Sequence, residues 1–169
     1  MADSALQELL DYRAIEQVFV TYFDRIDAND PVGASMCFAE NVEFEIMIGK
    51  TKTGRERFAR SVGRVLDQYE RTSHHVGNVM TTLHGDTADV TAYVYAYHRM
   101  RNTGEPWHLW ARMVDKMARI DGRWQITEHL LRGLDAVPNR PDIPRSWYPS
   151  HPGRLDREPI GAAAAELPS

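Results

Sequence analysis

The sequence is poor in cysteine: Cys37 is the only one among 169 residues. A single thiol excludes an internal disulfide framework and a multi-cysteine zinc site, and it suits a reducing compartment. Long apolar runs are missing as well. No stretch approaches the roughly 20 apolar residues that a membrane helix needs. There is no basic block either, since 20 Lys and Arg stand against 24 Asp and Glu, a formal net charge of −4. Nucleic-acid binding therefore lacks its electrostatic footprint. The opening segment MADSALQELLDYRAIE has neither the basic start nor the apolar core of a signal peptide. A Gly-rich phosphate loop and a Gly-x-Ser-x-Gly elbow are absent, which leaves nucleotide enzymes and serine hydrolases unsupported. Histidines spaced as His-x-His or His-x-x-x-His are absent too, so no metal is expected.

What is present is a chain of ordinary single-domain length. Hydrophobic residues at 43% and charged residues at 26% match globular composition and argue against wholesale disorder. The expectation is a cytoplasmic domain whose reactive inventory is carboxylates, tyrosines and seven histidines.

Residues 6–26 carry Leu6, Leu9, Leu10, Ile15, Val18, Phe19, Phe23 and Ile26 at spacings of three to five, an amphipathic helical stripe. Pro31 disfavours helix in the residue before it and ends the segment. A short helix is expected over 34–38 and an alternating strand over 41–48. A turn-rich loop over 49–54 and a second helix over 56–69 follow. Then come four long strands, over 72–83, 88–100, 107–120 and 124–132. Short turns such as Asp121-Gly122 join them, which makes them antiparallel. On the second of these, Ala88, Val90, Ala92, Val94, Ala96 and His98 share one face, and Tyr93, Tyr95 and Tyr97 share the other. If His98 faces a pocket, the tyrosine row faces outward and suggests a subunit interface. Proline recurs from Pro138 onward. The chain thus divides into a domain over 1–137 and a Pro-rich tail over 138–169, in which Trp147 and Tyr148 could anchor a lid. Helices first and a long meander after make an α+β architecture.

Four positions draw attention chemically. Asp27 ends the first helix, where a carboxylate opposes the macrodipole; alone it reads equally as a solvated helix end, with Asp24 and Asp30 close by. His74 and His75 point to opposite strand faces, so one of them at most enters a shared interior. His74 falls on a face with Val76, Asn78 and Met80, and reads either as a pocket residue or as a structural histidine. His98 follows a run of small residues, which suits a pocket or a tight helix contact. His129 falls on a face with Gln125 and Thr127, which suits a pocket or a solvated edge.

The order of motifs resembles the SnoaL-like family. AIEQVFVTYFDRIDAND over 14–30 is similar to the family's first helix, and FAENVEF over 38–44 to the approach to its first strand. TSHHVGN over 72–78, GDTA over 85–88 and DGRWQI over 121–126 follow in the same order. The resemblance implies a cone-shaped α+β barrel, its strongly curved mixed or antiparallel sheet closed by the N-terminal helices. Lytic members, of the scytalone dehydratase, bile-acid dehydratase and hexachlorocyclohexane dehydrochlorinase kinds, share an aspartate–histidine dyad, and Asp27 and His74 match its places. Tyr22 matches a tyrosine five residues before that aspartate, and His98 a second histidine on the following strand. Where many members carry arginine, this chain has His129, which cannot supply the fixed positive fork.

By that resemblance the chain is a cofactor-independent lyase, a dehydratase or a C–C lyase such as a deformylating enzyme. Its substrate is a bulky aromatic or polycyclic small molecule. His74 is the general base, Asp27 its orienting partner, and Tyr22 and His98 complete the catalytic set. His129, Asn78, Trp110 and Trp147 are the expected substrate contacts. A polyketide cyclase or isomerase, or the non-catalytic small subunit of a ring-hydroxylating dioxygenase, is the alternative. Neither nucleic acid nor membrane is expected as a partner. A homo-oligomer is, with a trimer favoured over a dimer.

Overall fold

The computed structural model describes residues 2–46 and 51–138. The first helix, α1, spans Ala2–Asp27. From Asp11 onward it packs on the sheet and buries Ile15, Phe19, Tyr22, Phe23 and Ile26. The expected stripe begins too early, however. Leu6, Leu9 and Leu10 are exposed, Leu9 by 65%, because the first turns of the helix project beyond the residues they would pack against.

Asp30 then caps a short helix, α2 (Pro31–Ser35), by accepting a hydrogen bond from the Gly33 amide at 2.7 Å. Proline suits the first helical position, where its missing N–H is not needed. This helix therefore starts earlier than the expected 34–38, and Phe38 opens a strand instead. Strand β1 is Phe38–Ile46 and β2 is the two-residue Lys52–Thr53, inside the segment expected to be a loop. Helix α3, Arg55–Leu66, buries Phe58, Val62 and Leu66 but leaves Val65 exposed. It stops short of Tyr69, which begins β3 (Tyr69–His84). Strands β4 (Thr87–Met100), β5 (Pro106–Ile120) and β6 (Arg123–Val137) follow.

The six strands form one sheet in the order β2-β1-β6-β5-β4-β3. The meander from β3 to β6 is antiparallel, whereas β1 lies parallel to β6. The fold is α+β with a mixed sheet. Its inner face carries Ala88, Val90, Ala92, Val94 and Ala96 of β4 and Leu109, Ala111 and Met113 of β5, all buried. Burying side chains such as Phe19, Phe38, Phe44 and Phe58 contributes roughly 1.5–3 kcal/mol each.

Irregularities in strand register decide which residues face inward. Between β3 and β4 the register slips from Gly77↔Tyr93 to Met80↔Thr91, the signature of an extra residue on β3. Asn78 sits in this bulge at φ 49, a conformation that asparagine tolerates better than most residues. Past the bulge, Val79 packs on the core while Asn78 and Met80 are exposed. A second slip lies between Lys116↔Glu128 and Met117↔Ile126. It adds Thr127 to β6 and brings His129 onto the inner face with Trp124 and Ile126 rather than with Gln125 and Thr127. Bulges also bend a strand and increase its twist, which curves the sheet.

Among the described residues no helix is long and apolar enough to cross a membrane.

Candidate active site

The end of α1 meets the edge of the sheet at β3. An edge strand leaves alternate backbone groups without a partner, and Asp27 supplies one. Its Oδ2 accepts the His74 amide at 2.8 Å. Its Oδ1 accepts the Thr72 hydroxyl at 2.7 Å and lies 2.7 Å from Nδ1 of the His74 ring. An ionised carboxylate can only accept, so Nδ1 carries a proton, and in the neutral ring Nε2 keeps its lone pair. Burial pushes the Asp27 carboxyl up. The hydrogen bonds from the His74 ring, the His74 amide and Thr72 outweigh that effect and hold it below the usual carboxylate value. The His74 side chain is 11% exposed and that of Asp27 27%.

Aromatic rings fix the imidazole. Phe23 stacks on His74 at a centroid distance of 5.1 Å, and His98 meets it edge-on at 5.4 Å. His98 is itself stacked on Trp107 at 4.2 Å, with Tyr69 at 4.6 Å. Asp27, His74 and His98 thus stand in one cluster. Tyr22 adjoins it through Phe23, at 4.6 Å. Burial, and then the charge of Asp115, push the Tyr22 phenol far up, so it remains protonated at neutral pH.

Deeper in the sheet, Nδ1 of His129 lies 2.9 Å from Oδ1 of Asp115. Asp115 is absent from the expected site residues. Period two along β5 carries its signal: Trp107, Leu109, Ala111, Met113, Asp115 and Met117 are all buried, and Asp115 is the one carboxylate among them.

Two expected contacts, Asn78 and Trp110, are not brought to the cluster. Asn78 is exposed in the β3 bulge, displaced by the extra residue. Trp110 is 40% exposed on the outer face, with its ring 5.4 Å from Tyr95, because the alternation of β5 turns it away from Leu109 and Ala111. Trp147 lies outside the described residues, as does the tail beyond Pro138.

A groove of about 410 Å³ is lined by Glu43, Glu45, Asp89, Lys116 and Glu128, among others, and touches neither Asp27 nor His74. Asp115 and His129 also line it, and both side chains are fully buried. Lys116 and Glu128 are paired across it at 3.0 Å and half-exposed, so it is a solvated surface feature. Among the described residues no group of three or more His, Cys, Asp or Glu side chains could hold a metal ion.

A family model for the SnoaL-like domain matches residues 7–129. No curated protein matches the sequence. Solved structures do. A proposed scytalone dehydratase from Novosphingobium aromaticivorans is 25% identical, with a TM-score of 0.75 over 83% of this chain and 93% of that one. A hexachlorocyclohexane dehydrochlorinase from Novosphingobium barchaimii is 16% identical, with a TM-score of 0.72 over 81% and 95%. A proposed dehydratase of the NTF2-like family from Streptomyces avermitilis is 15% identical, with a TM-score of 0.66 over 72% and 95%.

Proposed function

We propose, for a chain that belongs to the SnoaL-like domain family, the activity of a cofactor-independent lyase on a bulky aromatic or polycyclic small molecule. The observation that carries this reading is the 2.7 Å contact between the Asp27 carboxylate and Nδ1 of His74. It leaves Nε2 as a base, and imidazole is suited to proton transfer near neutral pH. The dehydratases and dehydrochlorinase with the same fold support an eliminating enzyme.

In the simplest reaction, His74 Nε2 removes a proton from a substrate carbon. The electron pair forms the new double bond as the neighbouring C–O bond breaks. The departing oxygen takes a proton from a neighbouring donor and leaves as water. Asp27 stabilises the imidazolium formed in the first step. Tyr22 and His98 are the donors for a carbonyl or the departing oxygen. Loss of formaldehyde from an aryl side chain needs the same base and donors, and a cyclase or isomerase shares the deprotonation. A non-catalytic subunit would need neither Asp27 nor His74.

The same reading includes a homo-oligomer, with a trimer favoured. Tyr93 and Trp110 on the outer sheet face are exposed, with Tyr95 between them, and an aromatic patch of this kind suits a contact between copies.

Carbon deprotonation is testable before the natural substrate is known, by following hydrogen–deuterium exchange and elimination across a panel of hydroxylated aromatic and polycyclic compounds. His74→Ala should reduce the rate at least ~10²-fold with an unchanged circular dichroism spectrum. A rate within tenfold of the parent would remove the assignment.

A further inference from the structure

Among the described residues three donors meet the Asp27 carboxylate, and two of them belong to His74. The third is the Thr72 hydroxyl. It lies 2.7 Å from Oδ1, the same oxygen that lies 2.7 Å from Nδ1 of the His74 ring. Thr72 and His74 are alternate residues of β3, so they share the inner face, opposite His98 and Ala96 of β4. Ser73 between them pairs with Tyr97 of the outer face, so its hydroxyl cannot take this place.

Tying α1 to β3 does not call for the Thr72 contact. The His74 amide already makes such a tie at Oδ2, 2.8 Å away. That amide is a single point about which the carboxylate can turn. A hydroxyl on the other oxygen removes this freedom and leaves Oδ1 directed at the ring. Threonine suits the task, since branching at Cβ restricts its rotation on a strand and so fixes the direction from which the hydroxyl donates. The carboxylate needs the support. It stands at the C-terminal end of α1, where the helix dipole opposes negative charge, and its side chain is 27% exposed. The imidazole, by contrast, is also braced by the rings of Phe23 and His98. Against burial, which pushes the Asp27 carboxyl up, the hydroxyl joins the His74 ring and amide in keeping it ionised.

We infer that Thr72 is a positioning residue for the Asp27–His74 pair: its hydroxyl fixes the carboxylate so that Oδ1 stays on Nδ1 and the ring keeps Nε2 for proton transfer. The part it plays in turnover rests on the lyase reading; its hold on the carboxylate and the ring does not. Acting through Asp27, it serves the chemical step and not substrate binding, so its loss lowers kcat and leaves KM in place.

Thr72→Val and Thr72→Ser test this. Valine keeps the shape, the branching and the strand preference but offers no donor. Serine keeps the donor without the branching. On a compound that the parent turns over, Thr72→Val should lose ~10-fold in kcat with KM within ~2-fold of the parent, and Thr72→Ser should stay within ~3-fold in kcat. A loss below ~5-fold in Thr72→Val, a loss above ~3-fold in Thr72→Ser, or a KM that moves beyond ~2-fold overturns the positioning role. NMR without substrate separates this from the lyase reading. In Thr72→Val the titration of the Asp27 side-chain carboxyl carbon should move to higher pH, and the Nδ1 proton of His74 should exchange faster with solvent. In Thr72→Ser both should match the parent. If either stays at the parent value in Thr72→Val, the inference is overturned whatever the chain catalyses. Both changes in a chain that turns over none of the compounds uphold the hold on Asp27 and tell against the lyase reading alone.

Discussion

Asp27 holds His74 twice, through the main-chain amide at 2.8 Å and through ring Nδ1 at 2.7 Å. One contact ties the helix end to the strand edge, and the other sets the tautomer of the base. Structure and chemistry thus depend on the same carboxylate, and substitutions can separate the two roles.

Asp27→Asn retains an oxygen for the amide but offers no carboxylate to stabilise an imidazolium. Activity should fall at least ~10²-fold, while stability changes by about 1 kcal/mol or less. Asp27→Ala should lower activity similarly and cost a further ~1–2 kcal/mol, because the Thr72 hydroxyl and the His74 amide lose their acceptor. Turnover rates and urea midpoints on the two variants check this ordering.

Acid should reveal the same group. Asp27 and Asp11 both sit below the ordinary value of 3.8 when folded. Burial raises each, but hydrogen bonds outweigh it, from His74 and Thr72 at Asp27 and from Arg119, Trp124 and Gln7 at Asp11. Near and below pH 3.8 the unfolded chain therefore binds more protons than the folded one. The stabilisation is fully present above 3.8 and is lost as pH falls through the lowered folded values. In urea unfolding at a series of pH values, the stability gap between parent and Asp27→Asn should close only below 3.8. A gap closing above about pH 5 would contradict it.

Arg119 joins α1 to the hairpin between β5 and β6. Its Nη2 lies 2.8 Å from both Asp11 oxygens, and its guanidinium lies over the Trp124 ring at 4.7 Å. Arg119→Ala leaves a buried carboxylate with only Trp124 and Gln7, and should cost about 1–2 kcal/mol after allowance for partial exposure. Lys116→Ala, which breaks the exposed pair with Glu128, should cost less than about 0.5 kcal/mol. Both variants should keep full activity, as read by urea midpoints beside the exchange assay.

Tyr93→Glu with Trp110→Glu places two charges on the outer aromatic face. Sedimentation should show an oligomer in the parent and a monomer in the double variant. A parent that sediments as a monomer at micromolar concentration would refute the oligomer.

Much of this was legible in order and period. Alternation along β4 separates Ala88, Val90, Ala92, Val94, Ala96 and His98 from Tyr93, Tyr95 and Tyr97, and burial follows that division except at Thr91, which is buried with the inner set. The placement of Asp27 and His74 as partners came from motif resemblance, and their contact agrees with it. Asn78 and His129 face other companions than strict alternation gives them, because a bulge is a mismatch between two strands, and neither strand announces it alone.

The sequence by itself determined the class of the fold, the breaks between elements and the side chains available for chemistry. Those depend on local periods of two and of three to four, on turn residues and on composition. Only the tertiary structure decided which side chains meet. Asp27 and His74 are 47 residues apart and Asp115 and His129 are 14 apart. Each pair exists because the strand register, shifted at a bulge on β6, and the docking of α1 on the edge of β3 bring those atoms within hydrogen-bonding distance.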